Sequence, residues 1–532
     1  MQRENTMRDF HKPGRSTVYA ANGMCATSNP LAAKTAISLL EAGGNAVDAA
    51  IGAAILLGFC EPQMTGLGGD CFVMIKHPDQ TDLIGLNGSG RGATGLSAAA
   101  MRAAGKSSMP AVDVSSVTIP GAVDAFCTLS TDYGRMPLAD VLAPAIKYAE
   151  AGVPVGPRTA FDWIESFDNL RGTARDLFSI NGAAPKPGQM FRAPGQAKVL
   201  RKIAAEGRAG FYEGEVAQDM VSSLRALGGT HELSDFAATA CTYVEPVSTL
   251  YKGYELIEMP PNGQGATALL LANILSHFDL PSMDPFGAAR AHVEAEATKL
   301  AYDARNRFLS DPETCNRLEH MLAPETASRL AALINLKHAM PDPHALSESV
   351  HKETIYITVV DKDRMAVSMI YSIFSSFGAG VASDKYGILF HDRGAGFSLK
   401  EGHPNEAGPG KRPMHTIIPA MLKEPDGSLM PFGVMGGAYQ ATGHARFLTN
   451  TVDYGMHPQE TIDSPRCFAE AEGLKVERGY SDAVVQELTD LGHNVVVPVV
   501  PIGGAQAIRI DAATGVLEGG SDPRKDGCAL GY

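Results

Sequence analysis

The run Thr354–Phe374 (TIYITVVDKDRMAVSMIYSIF) constrains the fold of this chain more than any other. Two stretches rich in Ile, Val, Thr and Tyr flank a polar turn, Lys362–Arg364, which is the pattern of an antiparallel hairpin. The sequence before it is mostly helical in texture. Residues 31–59 read as an Ala-rich helix, a Gly43-Gly44-Asn45 break and a second helix. That second helix is apolar on nearly every side, so it is expected to be buried. A glycine-rich loop, Glu61–Asp70, then leads into a strand, CFVMIK. Residues 140–230, 264–278, 287–309 and 440–455 read as helical, and 18–27, 249–259, 430–436 and 496–510 supply further strands. This order fits helices packed on antiparallel sheets, an α+β fold, better than a strict βαβ alternation.

Composition excludes several classes. With 45% apolar and 20% charged residues the chain is neither disordered, collagenous nor a coiled coil. A net charge of −14 argues against nucleic acid or anionic membranes as partners. The eight cysteines are scattered without a C-x-x-C pair and read as buried thiols. Met1–Arg15 has no apolar core, so no signal peptide is expected. The 12 uncharged residues between Asp48 and Glu61 are too few to span a bilayer, and Pro260–Gly263 break the apolar stretch 259–278. The expectation is a soluble cytoplasmic protein.

Few motifs carry chemistry on their own. His391-Asp392 and His403 lack metal-site spacing and read as polar loop residues, so no metal and no cofactor is expected. Gly263–Ala268 (GQGATA) superficially resembles a dinucleotide fingerprint, but Pro260-Pro261 stands directly before it and a helix cap with tight backbone fits better. Neither a G-x-S-x-G elbow nor a P-loop is present. Thr354 opens the hairpin. A threonine becomes a nucleophile when its own α-amine is free, because that amine, with a pKa of about 7.7–8, can take the hydroxyl proton. Thr354 is internal, so this role requires cleavage before it.

The chain resembles the gamma-glutamyltransferase family over almost its whole length. The resemblance rests on LLEAGGNAVDAAIGAAILLGFCEPQMTGLGGDCF (39–72), SSVTIPGAVDAF (115–126), GFYEGEVAQDM (210–220), MPPNGQGATALLLANIL (259–275), EAEATKLAYDARNRFLSDP (294–312), TIYITVVDKD (354–363), GPGKRPMHTIIPAM (408–421), FGVMGGAYQ (432–440) and GGSDPR (519–524). It implies an N-terminal-nucleophile hydrolase, a four-layer αββα sandwich made as an inactive precursor that cuts itself before a threonine. Matching the family's nucleophile strand places the scissile bond at Glu353–Thr354. The products would be a large chain, residues 1–353, and a small chain, residues 354–532, which stay associated; a homo-oligomer is left open. The resemblance further implies oxyanion donors at Gly436-Gly437 and a hydroxyl at Ser372 bonded to the nucleophile.

The family's γ-glutamyl clamp is not kept. Its arginine position falls near Gly88-Ser89, with Arg91 close by but displaced. Its Asn, Gln and Asp positions hold Phe374, Arg393 and Gly396, and its Ser-Ser pair is His415-Thr416. Without the aspartate, a substrate ammonium would lack its charge-assisted partner. Arg393, His415 and Arg91 supply cations or donors instead. The expected donor is therefore an amide with a carboxylate and no amine, such as oxamate or a glutaryl amide, and the acceptor is water or an amine. Two other readings are ordinary glutathione hydrolysis with γ-glutamyl transfer, and a binding protein that never processes.

Overall fold

The computed structural model describes residue 11 and residues 14–341 and 354–532. Glu353 of the expected scissile bond, and most of Met1–Arg15, lie outside the described residues.

Two seven-stranded antiparallel sheets form the centre. One runs in the order Cys528–Gly531, Met24–Thr27, Ile355–Val360, Ala366–Ser372, Asp70–Lys76, Leu83–Gly88, Thr242–Val244. The other runs Val18–Ala20, Leu517–Ser521, Gly504–Ile510, Leu429–Met435, Ala420–Lys423, Tyr254–Glu258, Val247–Tyr251. Residues from both sides of position 354 are interleaved in each sheet, so a cut there leaves two chains joined by strand pairing.

The period-two alternation of the hairpin assigns its faces. Ile355, Ile357 and Val359 join a core beneath the helices Pro30–Glu41, Ala46–Cys60, Ala122–Tyr133 and Leu138–Ala151. Tyr356, Val360 and Ile370 face the second sheet, meeting Met421, Met435 and Ile508. That sheet's other face packs Leu422, Phe432 and Val434 against the helices Gly265–Leu275, Ala288–Phe308 and Gln440–Asp453. The result is the helix–sheet–sheet–helix sandwich that the resemblance implied.

The helix Ala46–Cys60 is buried at every position, as its all-round apolar character requires. Asn45 caps it with Asp48 in a reciprocal box, an arrangement worth about 1 kcal/mol. The glycine-rich loop after it threads between strands. A Cβ on Gly69 would lie 2.5 Å from the Ser372 carbonyl oxygen, so only glycine lets the loop press against the second hairpin strand and deliver Asp70 opposite Ser372. Among the described residues no helix is long and apolar enough to cross a membrane. The cysteines are all unpaired thiols, with Cys241, Cys315 and Cys528 only partly buried.

Candidate active site

Thr354 and Ser372 close the open end of the hairpin, one step beyond the Ile355–Tyr371 pair. Their hydroxyl oxygens are 3.1 Å apart. Two donors point at Ser372 Oγ, the Phe374 N–H at 2.9 Å and Arg393 Nη2 at 3.4 Å. In the Ser372–Thr354 pair either hydroxyl can be the donor.

On its other side Thr354 borders a cavity of about 170 Å³, shared with Gly436, Ala438, Tyr439 and Phe468 and rimmed by Arg158, Lys475 and Lys525. Gly436 and Gly437 form the turn between the strand Leu429–Met435 and the helix Gln440–Asp453. Their φ values of 117° and 57° require glycine, and a Cβ on Gly436 would meet Gly503 Cα at 2.9 Å. The structure thus brings together the expected nucleophile, the Ser372 hydroxyl and the expected oxyanion turn.

Arg393 is fully buried and is no solvated loop residue. Nη1 donates to Thr416 Oγ1 at 2.9 Å, and the guanidinium carbon lies 3.9 Å from the Phe374 ring centroid. Nε has no partner among the described residues. Burial pushes its pKa down to about 9, against the opposing fields of Asp70 and Asp392, and it remains a cation at neutral pH. Phe374, at φ 76°, holds a left-handed backbone that costs a bulky residue of order 1–3 kcal/mol. It lies across the guanidinium as a cover.

Beneath them His415, expected in the substrate site, joins two residues that sequence reasoning did not place there, Asp70 and His391. Asp70 Oδ1 accepts from the N–H groups of Gly90 and Gly121, and Oδ2 lies 3.1 Å from His415 Nε2 and 3.6 Å from His391 Nδ1. Burial alone would raise the Asp70 pKa, but His391, His415 and Arg393 outweigh it and bring it to about 2. His415 donates Nε2–H to Asp70 and accepts the Ile417 N–H at Nδ1, which fixes a neutral tautomer. Burial, reinforced by Arg393, holds its pKa down at about 3, so His415 is a donor to Asp70 and not a second cation. His391, read from sequence as a polar loop residue, is buried and bonds to the Thr118 carbonyl. The resemblance pointed to His415 alone, since residues 70, 391 and 415 share no local spacing.

Arg91 is placed elsewhere. It donates to the Gly410 carbonyl and lies 3.6 Å from Asp311, half-exposed. His403 bonds to the Asn306 carbonyl. For metal, among the described residues one trio, His292, Glu296 and His493, brings its ligand-type atoms within 4.8 Å of one another. Those atoms already have partners: His292 Nδ1 meets His493 Nε2 at 2.7 Å, and Glu296 takes Lys299 and the Met340 N–H.

The chain has known relatives. The family model described as gamma-glutamyltranspeptidase matches residues 32–532. The chain belongs to the gamma-glutamyltranspeptidase family. It is similar to the glutathione hydrolase-like YwrD proenzyme of Bacillus subtilis, at 38% identity over 97% of this chain and 99% of that protein. It is also similar to the oxamate amidohydrolase proenzyme of Klebsiella pneumoniae, at 33% identity over 97% of this chain and 100% of that one. Among solved structures, a cephalosporin acylase from Bacillus halodurans superposes with a TM-score of 0.91 at 37% identity, covering 99% of both chains. This member of the gamma-glutamyltranspeptidase family is an amidohydrolase- and acylase-like enzyme with the N-terminal-nucleophile hydrolase fold, and its relatives are proenzymes.

Proposed function

We propose that the chain cleaves itself before Thr354 and then hydrolyses, or transfers the acyl group of, an amide whose acyl part carries a carboxylate and no α-amine. The observation that carries this reading is the placement of Thr354 Oγ1, 3.1 Å from Ser372 Oγ on the wall of a cavity that Gly436 and Ala438 also line.

In the mature enzyme the Thr354 α-amine takes the proton of its own hydroxyl as Oγ1 adds to the amide carbonyl. The carbonyl π electrons move to oxygen, and the N–H groups of the glycine turn stabilise the oxyanion, each donor worth about 2.7–4 kcal/mol. Collapse breaks the C–N bond, and the amine leaves with the proton held on the Thr354 ammonium. The acyl ester on Thr354 then passes to water, or to an amine acceptor, by the same steps in reverse order of attack.

The donor preference rests on Arg393. Among the described residues the hydrogen bonds of this buried guanidinium go to hydroxyls and Nε is unmet; Asp70 and Asp392 act on it through their fields, and no carboxylate hydrogen-bonds it. A donor carboxylate would supply that bond, whereas a γ-glutamyl ammonium would meet a like charge. The names of two relatives, oxamate amidohydrolase and cephalosporin acylase, agree with amide donors outside the γ-glutamyl class. The test compares oxamate and glutaryl anilide with γ-glutamyl anilide on processed protein. The reading expects the first two to be turned over faster. A strong preference for the γ-glutamyl substrate contradicts it.

A further inference from the structure

We infer that Gln264 is a positioning residue for the oxyanion turn, acting from the segment before Thr354 on the catalytic turn after it. This rests on the reading of Gly436-Gly437 given above. The helix Gly265–Leu275 begins just after Gln264, yet the Gln264 side chain makes no cap hydrogen bond to that helix. It reaches across to the small-chain side instead. Nε2 donates to the Gly437 carbonyl at 3.0 Å and to the Thr416 carbonyl at 2.8 Å, and Oε1 accepts from Arg305 Nη1 at 2.9 Å. Carbonyls only accept and a guanidinium only donates, so the amide has a single orientation that satisfies all three.

The consequence lies in the turn. The Gly436 carbonyl accepts from Tyr439 N–H at 3.1 Å, the Gly437 carbonyl from Gln264, and the Ala438 carbonyl from the Tyr302 hydroxyl. Three successive carbonyls are therefore held. In a planar trans peptide the N–H points opposite the C=O, so the Gly436 carbonyl, held by Tyr439, fixes where the Gly437 N–H aims, and Gln264, by holding the Gly437 carbonyl, fixes the next peptide plane and with it the far side of that glycine. Gly436 and Ala438 line the cavity beside Thr354. Two glycine-type positive-φ residues in a row would otherwise leave the turn free to rotate its peptide planes.

The brace is itself anchored. Arg305 is buried and stacks 4.3 Å over the ring of Tyr302, the same tyrosine that holds the Ala438 carbonyl. Gln264 also bonds the backbone of Thr416, whose hydroxyl takes Arg393. One carboxamide thus links the oxyanion turn, the guanidinium site and the helix Ala288–Phe308.

Gln264→Met keeps the length and removes every hydrogen bond. Gln264→Glu keeps the acceptor for Arg305 and removes both donors. Both are expected to process, to lower kcat roughly 10–100-fold, the range set by loss of one or two buried hydrogen bonds, and to leave KM within about twofold. Arg305→Lys, with Gln264 intact, is expected to lose less. If Gln264→Glu retains wild-type kcat, the donors do not matter and the inference is wrong; a rise in KM with kcat unchanged also overturns it. Should the Gln264 variants fail to fold, Arg305→Lys decides alone: unchanged kcat overturns the brace and a fall in kcat at constant KM supports it. Thr354→Ala is run beside them. Activity in that variant removes the underlying reading, whereas an inactive Thr354→Ala with fully active Gln264 variants removes only this inference.

Discussion

Thr354 Oγ1 and Ser372 Oγ face each other at 3.1 Å across the open end of one hairpin, and the Phe374 N–H and Arg393 both donate to the serine oxygen. That geometry keeps the Ser372 hydroxyl in hydrogen-bond contact with the attacking oxygen. Ser372→Ala removes that hydroxyl at a buried site and is expected to cost about 1.5–3 kcal/mol of transition-state stabilisation, seen as lower kcat with little change in KM. Ser372→Thr, which keeps the hydroxyl, should recover much of it. Steady-state kinetics on processed protein check both.

Arg393→Gln tests the donor assignment. The substitution keeps hydrogen-bond donors and removes the charge. For a carboxylate-bearing amide kcat/KM is expected to fall by about 1.5–3 kcal/mol, and for an uncharged amide of the same size to change little. A parallel fall for both donors would mean that Arg393 acts through Thr416 and Ser372 and not on the substrate carboxylate.

Glu61 predicts a pH dependence of stability. It sits just beyond the buried helix, bonded by the Ser28 hydroxyl, and burial raises its pKa to about 7 despite that bond and the field of Lys525. The folded state therefore holds a proton that the unfolded chain releases near 4.5. Stability contributed by this group is full below that value and is lost as pH rises through the window up to about 7. Glu61→Gln is expected to flatten that slope and to melt higher than wild type at pH 8, by the equivalent of a few kcal/mol at order of magnitude. Melting curves from pH 4 to 8 check it, and equal slopes in the two proteins contradict it.

The sequence carried the fold largely through two patterns. The β-rich hairpin after Thr354 and the helix Ala46–Cys60, apolar on all sides, pointed to a buried helix and to helices packed on antiparallel sheets, and both stand so; the four-layer order came from the family resemblance. The Gly436-Gly437 pair was read through the family resemblance, and its two positive φ values show why glycine stands there. The guanidinium site was legible only in part. That Arg393 replaces a neutral residue could be read, but its closure depends on the backbone of Phe374, which no propensity foretells. The Asp70, His391 and His415 set joins three distant segments, so no spacing could reveal it. Gln264 was legible as a helix start and nothing more, because its hydrogen bonds run to residues 416 and 437 across the sandwich.

The central claim is that Thr354 cuts the chain before itself and then serves as nucleophile. Intact-mass spectrometry of purified wild type and Thr354→Ala, with an amidase assay on the same samples, tests it most directly. The account predicts two chains for wild type, one beginning at Thr354, and for Thr354→Ala a single 56.1 kDa chain without activity. Cleavage at the same bond in Thr354→Ala, or an active uncut wild type, would contradict it.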